Sequence, residues 1–88
     1  MFRVEFLPEA LEDLKRLDPA VVQRVFKKLR WLSENFDSLK PEGLSGPLAG
    51  LSKLRVGDYR VLYEVERAEK LLTVHLVGHR RDIYKPRE

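Results

Sequence analysis

The side chains of this 88-residue chain that are best suited to do chemistry are cations, and most lie in its second half. The set comprises Lys53, Arg55, Arg60, His79, Arg80, Arg81, Tyr84 and Lys85. Lysine and arginine bind phosphate oxygens, and an exposed aromatic ring stacks on a base of single-stranded nucleic acid. This combination of residues therefore indicates a phosphate-bearing partner such as RNA.

Signs of other chemistries are few. The chain has no Cys, which excludes a disulfide scaffold and a thiol nucleophile and favours a reducing cytosolic compartment. A P-loop, a dinucleotide fingerprint, a serine nucleophile elbow and metal-ligand spacing are absent from the sequence, so we expect no cofactor. Because there is neither a signal-peptide pattern nor an apolar run approaching about 20 residues, we expect a cytoplasmic protein.

A predicted hairpin brings three of the cations together. If Gly57-Asp58 is a two-residue turn, Arg55 lies opposite Arg60, and Lys53 shares their face of the sheet. Like charges that face each other across a sheet are destabilising, so an anionic partner would explain the pair. The alternative is a solvated edge, with Asp58, Glu64 or Glu66 as the neighbouring counter-charges.

The next hairpin is predicted to continue this register. A four-residue loop, Arg67-Ala68-Glu69-Lys70, pairs Val65 with Leu72, Tyr63 with Val74 and Val61 with Leu76. These pairs add apolar side chains to the face opposite the cations. The same register places His75 on the open face near Arg60, where it serves either catalysis or structure.

The elements that must position these residues follow from apolar periodicity. Alternation at Phe2, Val4 and Phe6 predicts a strand, and helical spacing after Pro8 and after Asp18-Pro19 predicts two helices, the second ending near Asn35. Phe26, Trp31 and Phe36 are predicted to be core or helix–sheet contacts. A loop follows, then strands over 51–56, 59–66 and 71–77. We expect one α+β domain over 1–88, an antiparallel sheet with both helices on one face, in the order β-α-α-β-β-β.

The charge distribution supports a site in the second half. The net charge is +3, from 17 Lys and Arg against 14 Asp and Glu. Residues 1–50 carry 8 basic and 8 acidic side chains, whereas residues 51–88 carry 9 basic and 6 acidic. All of the excess therefore follows the predicted helices.

The sequence resembles the RelE/ParE superfamily of type II toxin-antitoxin toxins. The resemblance is carried by Gly57-Asp58-Tyr59-Arg60 within the run 50–65 and by Gly78-His79-Arg80-Arg81-Asp82-Ile83-Tyr84. It covers essentially the whole chain, and the element order agrees with it. RelE-like members are ribosome-dependent mRNA interferases that cut in the ribosomal A site, whereas ParE-like members poison DNA gyrase. The resemblance also implies an acidic antitoxin partner encoded by a neighbouring gene.

The resemblance assigns roles to four residues. In the RelE branch the functional set is matched here by Lys53, Arg60, Arg80 and Tyr84. One departure is Leu51, which stands where the best-studied branch has a second Lys. The presence of both Lys53 and Tyr84 favours the RelE-like activity over gyrase poisoning, and a non-catalytic module that binds nucleic acid or a protein is a third alternative.

The expected reaction is metal-independent RNA cleavage, in which a 2′-hydroxyl attacks the adjacent phosphate. Lys53 is the predicted base, because the like-charged Arg55 and Arg60 favour its neutral amine. Arg60 and Arg80 are predicted to clamp the phosphate, Tyr84 to stack on a base, and Arg80 or His79 to protonate the leaving oxygen. The predicted substrate-binding residues are Arg55, His79, Arg81 and Lys85.

Overall fold

The computed structural model describes residues 1–86 and shows two helices on a five-stranded sheet. The first strand is β1 (Arg3–Phe6), followed by α1 (Pro8–Lys15) and α2 (Pro19–Asn35). A proline begins each helix, where its missing N–H removes no intrahelical hydrogen bond. Asp18 precedes α2 as predicted, and its backbone carbonyl accepts hydrogen bonds from the N–H groups of Val21 and Val22.

The second half forms the rest of the sheet. Its strands are β2 (Glu42–Gly43), β3 (Ser52–Val56), β4 (Tyr59–Glu66) and β5 (Leu71–His79), with short 3₁₀ turns at Phe36–Ser38 and Gly46–Leu48. The spatial order is β1-β5-β4-β3-β2. The α+β class and the predicted element order are confirmed. The sequence predicted an antiparallel sheet, whereas the observed sheet is mixed because β1 runs parallel to β5. Strand β2 adds a short strand where the sequence predicted only a loop.

The strand registers decide which side chains share a face. Arg55 pairs with Arg60 and Lys53 with Leu62, as the two-residue turn predicted. Val65 pairs with Leu72 and Tyr63 with Val74, again as predicted. The predicted pairing of Val61 with Leu76 is wrong. A β-bulge shifts the register between Leu62 and Tyr63, so that Val61 pairs with Val77 and Leu62 with Leu76.

The core lies between the helices and one face of the sheet. It includes Val25, Leu29, Val61, Tyr63 and Val77, all buried. Phe36 is also buried, and its ring lies 6.3 Å from that of Tyr63. Phe26 and Trp31 of α2 were also predicted to be core or helix–sheet contacts. The contact of Phe26 with Phe6 of β1 confirms this for Phe26, but neither residue belongs to the buried core. Phe26 is 46% exposed although it contacts Phe6, and Trp31 is 41% exposed at the helix surface.

A buried carboxylate ties α1 to β5. Oδ2 of Asp13 accepts a hydrogen bond from the N–H of Val77 at 2.9 Å. Strand β1 ends at Phe6, which pairs with Val74, so the later part of β5 has no strand on that side in the described chain. Asp13 supplies the missing acceptor there.

The opposite face of the sheet carries a small apolar cluster of its own. Leu62 is fully buried on this face, and Ile83 is only 2% exposed. A Cβ added to Gly78 would lie 3.2 Å from Cδ1 of Ile83, so the segment that follows β5 packs directly on this strand. Among the described residues no helix is long and apolar enough to cross a membrane.

Candidate nucleic-acid interface

The β3–β4 hairpin places three cations on the face away from the helices. Lys53 is partly buried, and Arg55 faces Arg60 across the strands. Nη1 of Arg60 donates hydrogen bonds to the carbonyls of Gly57 and Tyr59, both at 2.8 Å. These backbone dipoles partly offset the repulsion between the two guanidinium groups.

Glu42 supplies a carboxylate that the sequence did not reveal. Its Oε2 lies 2.9 Å from Nζ of Lys53 and 3.7 Å from Nη2 of Arg55. The hydrogen bond from Lys53, followed by the charges of Lys53, Arg55 and Arg60, lowers the pKa of Glu42 below its ordinary value of 4.5. The loop sequence around Glu42 has no periodicity to place it, because its position depends on β2 pairing with β3.

The tail, residues 80–86, folds back onto the β3–β4 turn. The N–H of Arg80 donates to the carbonyl of Asp58 at 2.8 Å, and Nε of Arg80 lies 3.9 Å from Oδ1 of Asp58. The turns that follow are closed by hydrogen bonds from Asp82 and Ile83 to the carbonyl of His79. Arg60 and Arg80 therefore meet at the same turn.

The remaining predicted residues of the last strand and the tail point in several directions. The ring of His79 packs against Tyr59 at 5.3 Å, on the helix-covered face, and Nδ1 of His79 accepts a hydrogen bond from the N–H of Arg81. Arg81 is exposed, and Lys85 pairs with Asp82 at 3.3 Å. The structure thus separates His79 from the face that carries Arg60.

Tyr84 and Lys53 line different cavities. Tyr84 is 45% exposed and, with Lys85, lines a cavity of about 760 Å³ whose other walls include Leu44, Leu48 and Ile83. Lys53 and Arg55 line a groove of about 270 Å³ beside Trp31. The structure brings Lys53 to Arg55 and Arg60 to Arg80, and it leaves Tyr84 in a separate depression.

His75 does not lie beside Arg60, so that prediction is wrong. The β-bulge turns His75 toward Glu64, and Nε2 of His75 lies 3.0 Å from Oε1 of Glu64. The residue opposite Arg60 on β5 is Gly78. The extra residue in β5 carries His75 away from the cations, an irregularity that alternation alone cannot reveal.

A second row of cations lies on α2 and was not predicted from the sequence. Nζ of Lys28 lies 4.2 Å from the centroid of the Trp31 ring, and Arg24 precedes Lys28 by one helical turn. Helical spacing was the available signal, since residues four and three positions apart share a side of the helix. No group of three or more potential His, Cys, Asp or Glu metal ligands occurs within residues 1–86.

Comparison with known proteins decides the family. The family model described as the ParE toxin of the type II toxin-antitoxin system parDE matches residues 4–84. The chain belongs to the RelE/ParE toxin superfamily. It is thus a toxin of a type II toxin-antitoxin system, and the resemblance noted in its sequence is confirmed.

Relatives within the RelE/ParE superfamily span nearly the whole chain. Toxin RelG of Mycobacterium tuberculosis is 35% identical over 88 residues, which cover 96% of this chain and 97% of RelG. A RelE-like toxin protein of Escherichia coli is 31% identical over 90 residues, covering 94% of this chain and 90% of that protein.

A solved structure supports the same assignment. The toxin-antitoxin complex RelBE2 of Mycobacterium tuberculosis contains a chain that superposes with a TM-score of 0.79 at 28% identity. The superposition covers 89% of this RelE/ParE toxin and 96% of that chain. That relative was crystallised with its antitoxin.

Proposed function

We propose that this toxin is a ribosome-dependent mRNA endonuclease that inhibits translation by cutting mRNA in the A site. The observation that carries the proposal is the convergence of Arg60 and Arg80 on the Gly57-Asp58 turn, beside the Arg55–Lys53 row. Guanidinium forks fit phosphate oxygens bidentately. The cations lie on the open face of a small sheet, which suits a substrate that is itself held by a larger assembly.

The proposed reaction needs no metal. The 2′-oxygen of one nucleotide attacks the adjacent phosphorus, a 2′,3′-cyclic phosphate forms, and the bond to the 5′-oxygen of the next nucleotide breaks. Arg60 and Arg80 stabilise the negative charge that builds on the phosphoryl oxygens. The substrate provides the nucleophile, so the protein must orient the RNA, neutralise charge and accept the proton of the 2′-hydroxyl.

Proton transfer from the 2′-hydroxyl is assigned to the Lys53–Glu42 pair. A neutral Lys53 amine can take this proton, as the sequence predicted, and a carboxylate oxygen of Glu42 lies 2.9 Å from its Nζ. The Glu42 carboxylate is therefore a second acceptor. The pH dependence of cleavage in Lys53→Met and Glu42→Gln variants distinguishes the two candidate bases. Only the loss of the true base removes the increase of the cleavage rate with pH.

Stabilisation of the leaving 5′-oxygen is assigned to Arg80. Arg80 contacts Asp58 at the turn whose Gly57 carbonyl accepts from Arg60, whereas the ring of His79 packs against Tyr59. An arginine keeps its protons at all ordinary pH values, so Arg80 stabilises the departing oxygen through an N–H hydrogen bond while solvent supplies the proton. Tyr84, Arg81 and Lys85 lie further along the tail and are proposed to contact flanking nucleotides.

The partner of this toxin is proposed to be an acidic antitoxin encoded next to it. The RelBE2 relative was crystallised with its antitoxin. In this chain Glu42 already shows how one carboxylate on a neighbouring strand contacts Lys53 and Arg55 together. Carboxylates of an antitoxin segment would cover the same cations and block RNA entry.

Gyrase poisoning is the second candidate, and the match to the ParE family model favours it. The two activities leave different traces in cells. An mRNA endonuclease cuts transcripts at A-site codons, whereas a gyrase poison induces a DNA-damage response and leaves transcripts whole. A non-catalytic module would do neither.

The deciding experiment adds purified toxin to translating ribosomes and maps the 5′ ends of the mRNA. We expect cuts at A-site codons that disappear in Arg60→Ala and Arg80→Ala. Arg3→Ala is the matched control, since Arg3 is an exposed arginine on β1 at the other end of the sheet. A thermal melt shows that each variant is folded.

Two results would overturn the assignment. Uncut mRNA together with inhibited gyrase supercoiling would make the protein a gyrase poison. Cleavage that persists in both arginine variants would place the active site elsewhere. Arg60→Lys adds a finer check, because it keeps the charge but loses the fork that Arg60 offers to phosphate.

A further inference from the structure

A basic groove runs between α2 and the outer edge of β3. One part is lined by Lys28, Trp31, Lys40, Glu42 and Lys53, and has a volume of about 270 Å³. The adjoining part, of about 370 Å³, is lined by Arg24, Lys27, Lys28, Trp31 and Val56. Lys28 and Trp31 line both parts, so the two parts adjoin each other.

The charge of this α2–β3 groove is strongly one-sided. Its lining contains Arg24, Lys27, Lys28, Lys40, Lys53 and Arg55. Glu42 is the one acidic residue among the described residues that line it. The helix contributes half of the cations, although the first half of the sequence has no net charge. Folding therefore brings basic residues of the first half into the groove, while the acidic residues that balance their charge in the sequence lie elsewhere.

The groove is continuous with the proposed cleavage site. Lys53 and Arg55 belong to both. At the other end, Nη1 of Arg24 lies 3.6 Å from where a Cβ at Gly57 would be, and Arg60 donates to the carbonyl of the same Gly57. Cations thus follow one another from the Arg60–Arg80 turn, past Arg24, to Lys28 and Trp31.

Trp31 gives this track an aromatic platform. The indole is 41% exposed, and Lys28 holds its ammonium 4.2 Å from the ring centroid. A lysine stem is flexible, so the ammonium can move from the ring to a phosphate and leave the ring face to a base. Cations that follow a backbone beside a ring that stacks a base are the arrangement that binds single strands without reading their sequence.

We propose that the α2–β3 groove is a second nucleic-acid subsite, in which single-stranded RNA continues from the cleavage site with one base stacked on Trp31 and its phosphates on Arg24, Lys28 and Lys40. The subsite rests on the proposed RNA-cleaving function and extends it to the flanking nucleotides. An acidic extended peptide that pairs with the edge of β3 is the competing occupant. The exposed indole and the continuity with the phosphate-clamping arginines favour RNA.

Trp31 is the only tryptophan in the sequence, so its fluorescence reports this groove alone. The experiment titrates the toxin with a short single-stranded oligonucleotide whose 2′-O-methyl groups remove the nucleophile. We expect quenching that saturates with binding, measured in parallel by anisotropy of a labelled oligonucleotide. An abasic oligonucleotide with the same phosphates should bind with much less quenching, because it offers no base to stack.

Variants test the individual contacts. Trp31→Ala should weaken binding about ten-fold, the typical effect of losing one stacked base, and Trp31→Phe should restore most of it. Lys28→Ala should lower the salt dependence of log K by about 0.7, the value for one phosphate contact to a single strand. Arg30→Ala is the matched control, because Arg30 is an exposed cation of the same helix paired with Glu34 and outside the groove lining.

The outcomes are decisive in both directions. The subsite would be overturned if the fluorescence did not change at saturating oligonucleotide. It would also be overturned if the Trp31→Ala and Lys28→Ala variants bound the oligonucleotide as tightly as Arg30→Ala does. A spectral change with a poly-glutamate peptide but not with RNA would make the groove a peptide site. Because the probe cannot be cleaved, these results are independent of whether the toxin cuts mRNA.

Discussion

At the scale of single residues, the repulsion between Arg55 and Arg60 is relieved within the chain. Arg60 donates to two carbonyls of its own turn, and Glu42 contacts Lys53 and Arg55. The sequence offered Asp58, Glu64 and Glu66 as counter-charges. In the structure Asp58 faces Arg80, Glu64 contacts His75, and the carboxylate beside the hairpin cations comes from a different strand.

Glu42 competes with phosphate for Lys53 and Arg55. Glu42→Gln should raise the affinity for the uncleavable oligonucleotide by a few-fold, because an exposed ion pair is a weak competitor. The wild-type affinity should rise as the pH falls below about 4.5, when the carboxylate begins to take up a proton. The lowered pKa of Glu42 means that the competing charge persists at all higher pH values.

The measurement is oligonucleotide anisotropy against pH for both proteins. Glu42→Gln should remove the increase that the wild type shows on acidification. Glu34→Gln is the matched control, since Glu34 pairs with Arg30 on α2. Equal affinities of wild type and Glu42→Gln at neutral pH would show that Glu42 does not shield the site.

At the scale of elements, the last strand and the tail together set the position of the cations. The bulge in β5 places Val77 in the core and Leu76 opposite Leu62 on the other face. The following residue, Gly78, has no Cβ and so leaves room for Ile83. A Cβ built at Gly78 would lie 3.2 Å from Cδ1 of Ile83. Ile83 therefore anchors the segment that carries Arg80 and Tyr84.

Removing this anchor should loosen the tail. Ile83→Ala should lower the free energy of unfolding by about 2 kcal/mol, at the low end for a buried isoleucine because the tail can partly collapse into the space. Amide hydrogen exchange should accelerate at Asp82 and Ile83, whose N–H groups bond to the carbonyl of His79. Cleavage should fall although Arg60 and Arg80 are unchanged.

Leu11→Ala is the control for this prediction. Leu11 is 47% exposed on α1, so its truncation should change the free energy of unfolding by less than about 0.5 kcal/mol. Urea unfolding monitored by circular dichroism provides the comparison. If Ile83→Ala matched Leu11→Ala in stability and in exchange, Ile83 would not be holding the tail.

At the scale of the whole molecule, one buried phenol links the helices to the sheet. Tyr63 on β4 is buried against Phe36 and is hydrogen-bonded to Ser52 on β3. Burial raises the pKa of Tyr63 above 10. The unfolded chain therefore releases this proton at a lower pH than the folded protein does.

The sign of this linkage predicts the alkaline behaviour of the fold. The contribution of Tyr63 is fully present below pH 10 and is lost as the pH rises toward the folded pKa. Tyr63→Phe should make the unfolding free energy less dependent on pH above 10, at the cost of the hydrogen bond with Ser52. Urea unfolding at pH 8 and above pH 10 tests this, and an unchanged slope would exclude Tyr63 as the group responsible.

The sequence alone determined the two helices, four of the five strands, the register of the β3–β4 hairpin and the resemblance to the superfamily. These depend on local periodicity, on a two-residue turn and on short motifs, all of which involve neighbours in the chain. Lys53, Arg55 and Arg60 therefore share the predicted face, and the tail reaches the predicted turn.

Only the tertiary structure decided how these cations are partnered and how far the basic surface extends. Glu42 reaches Lys53 through the pairing of β2 with β3, the bulge turns His75 toward Glu64, and Trp31 lies exposed in a groove with cations of two elements. Each arrangement joins residues far apart in sequence. Electrostatic and packing contacts of this kind depend on distances in space, which the order of residues along the chain does not contain.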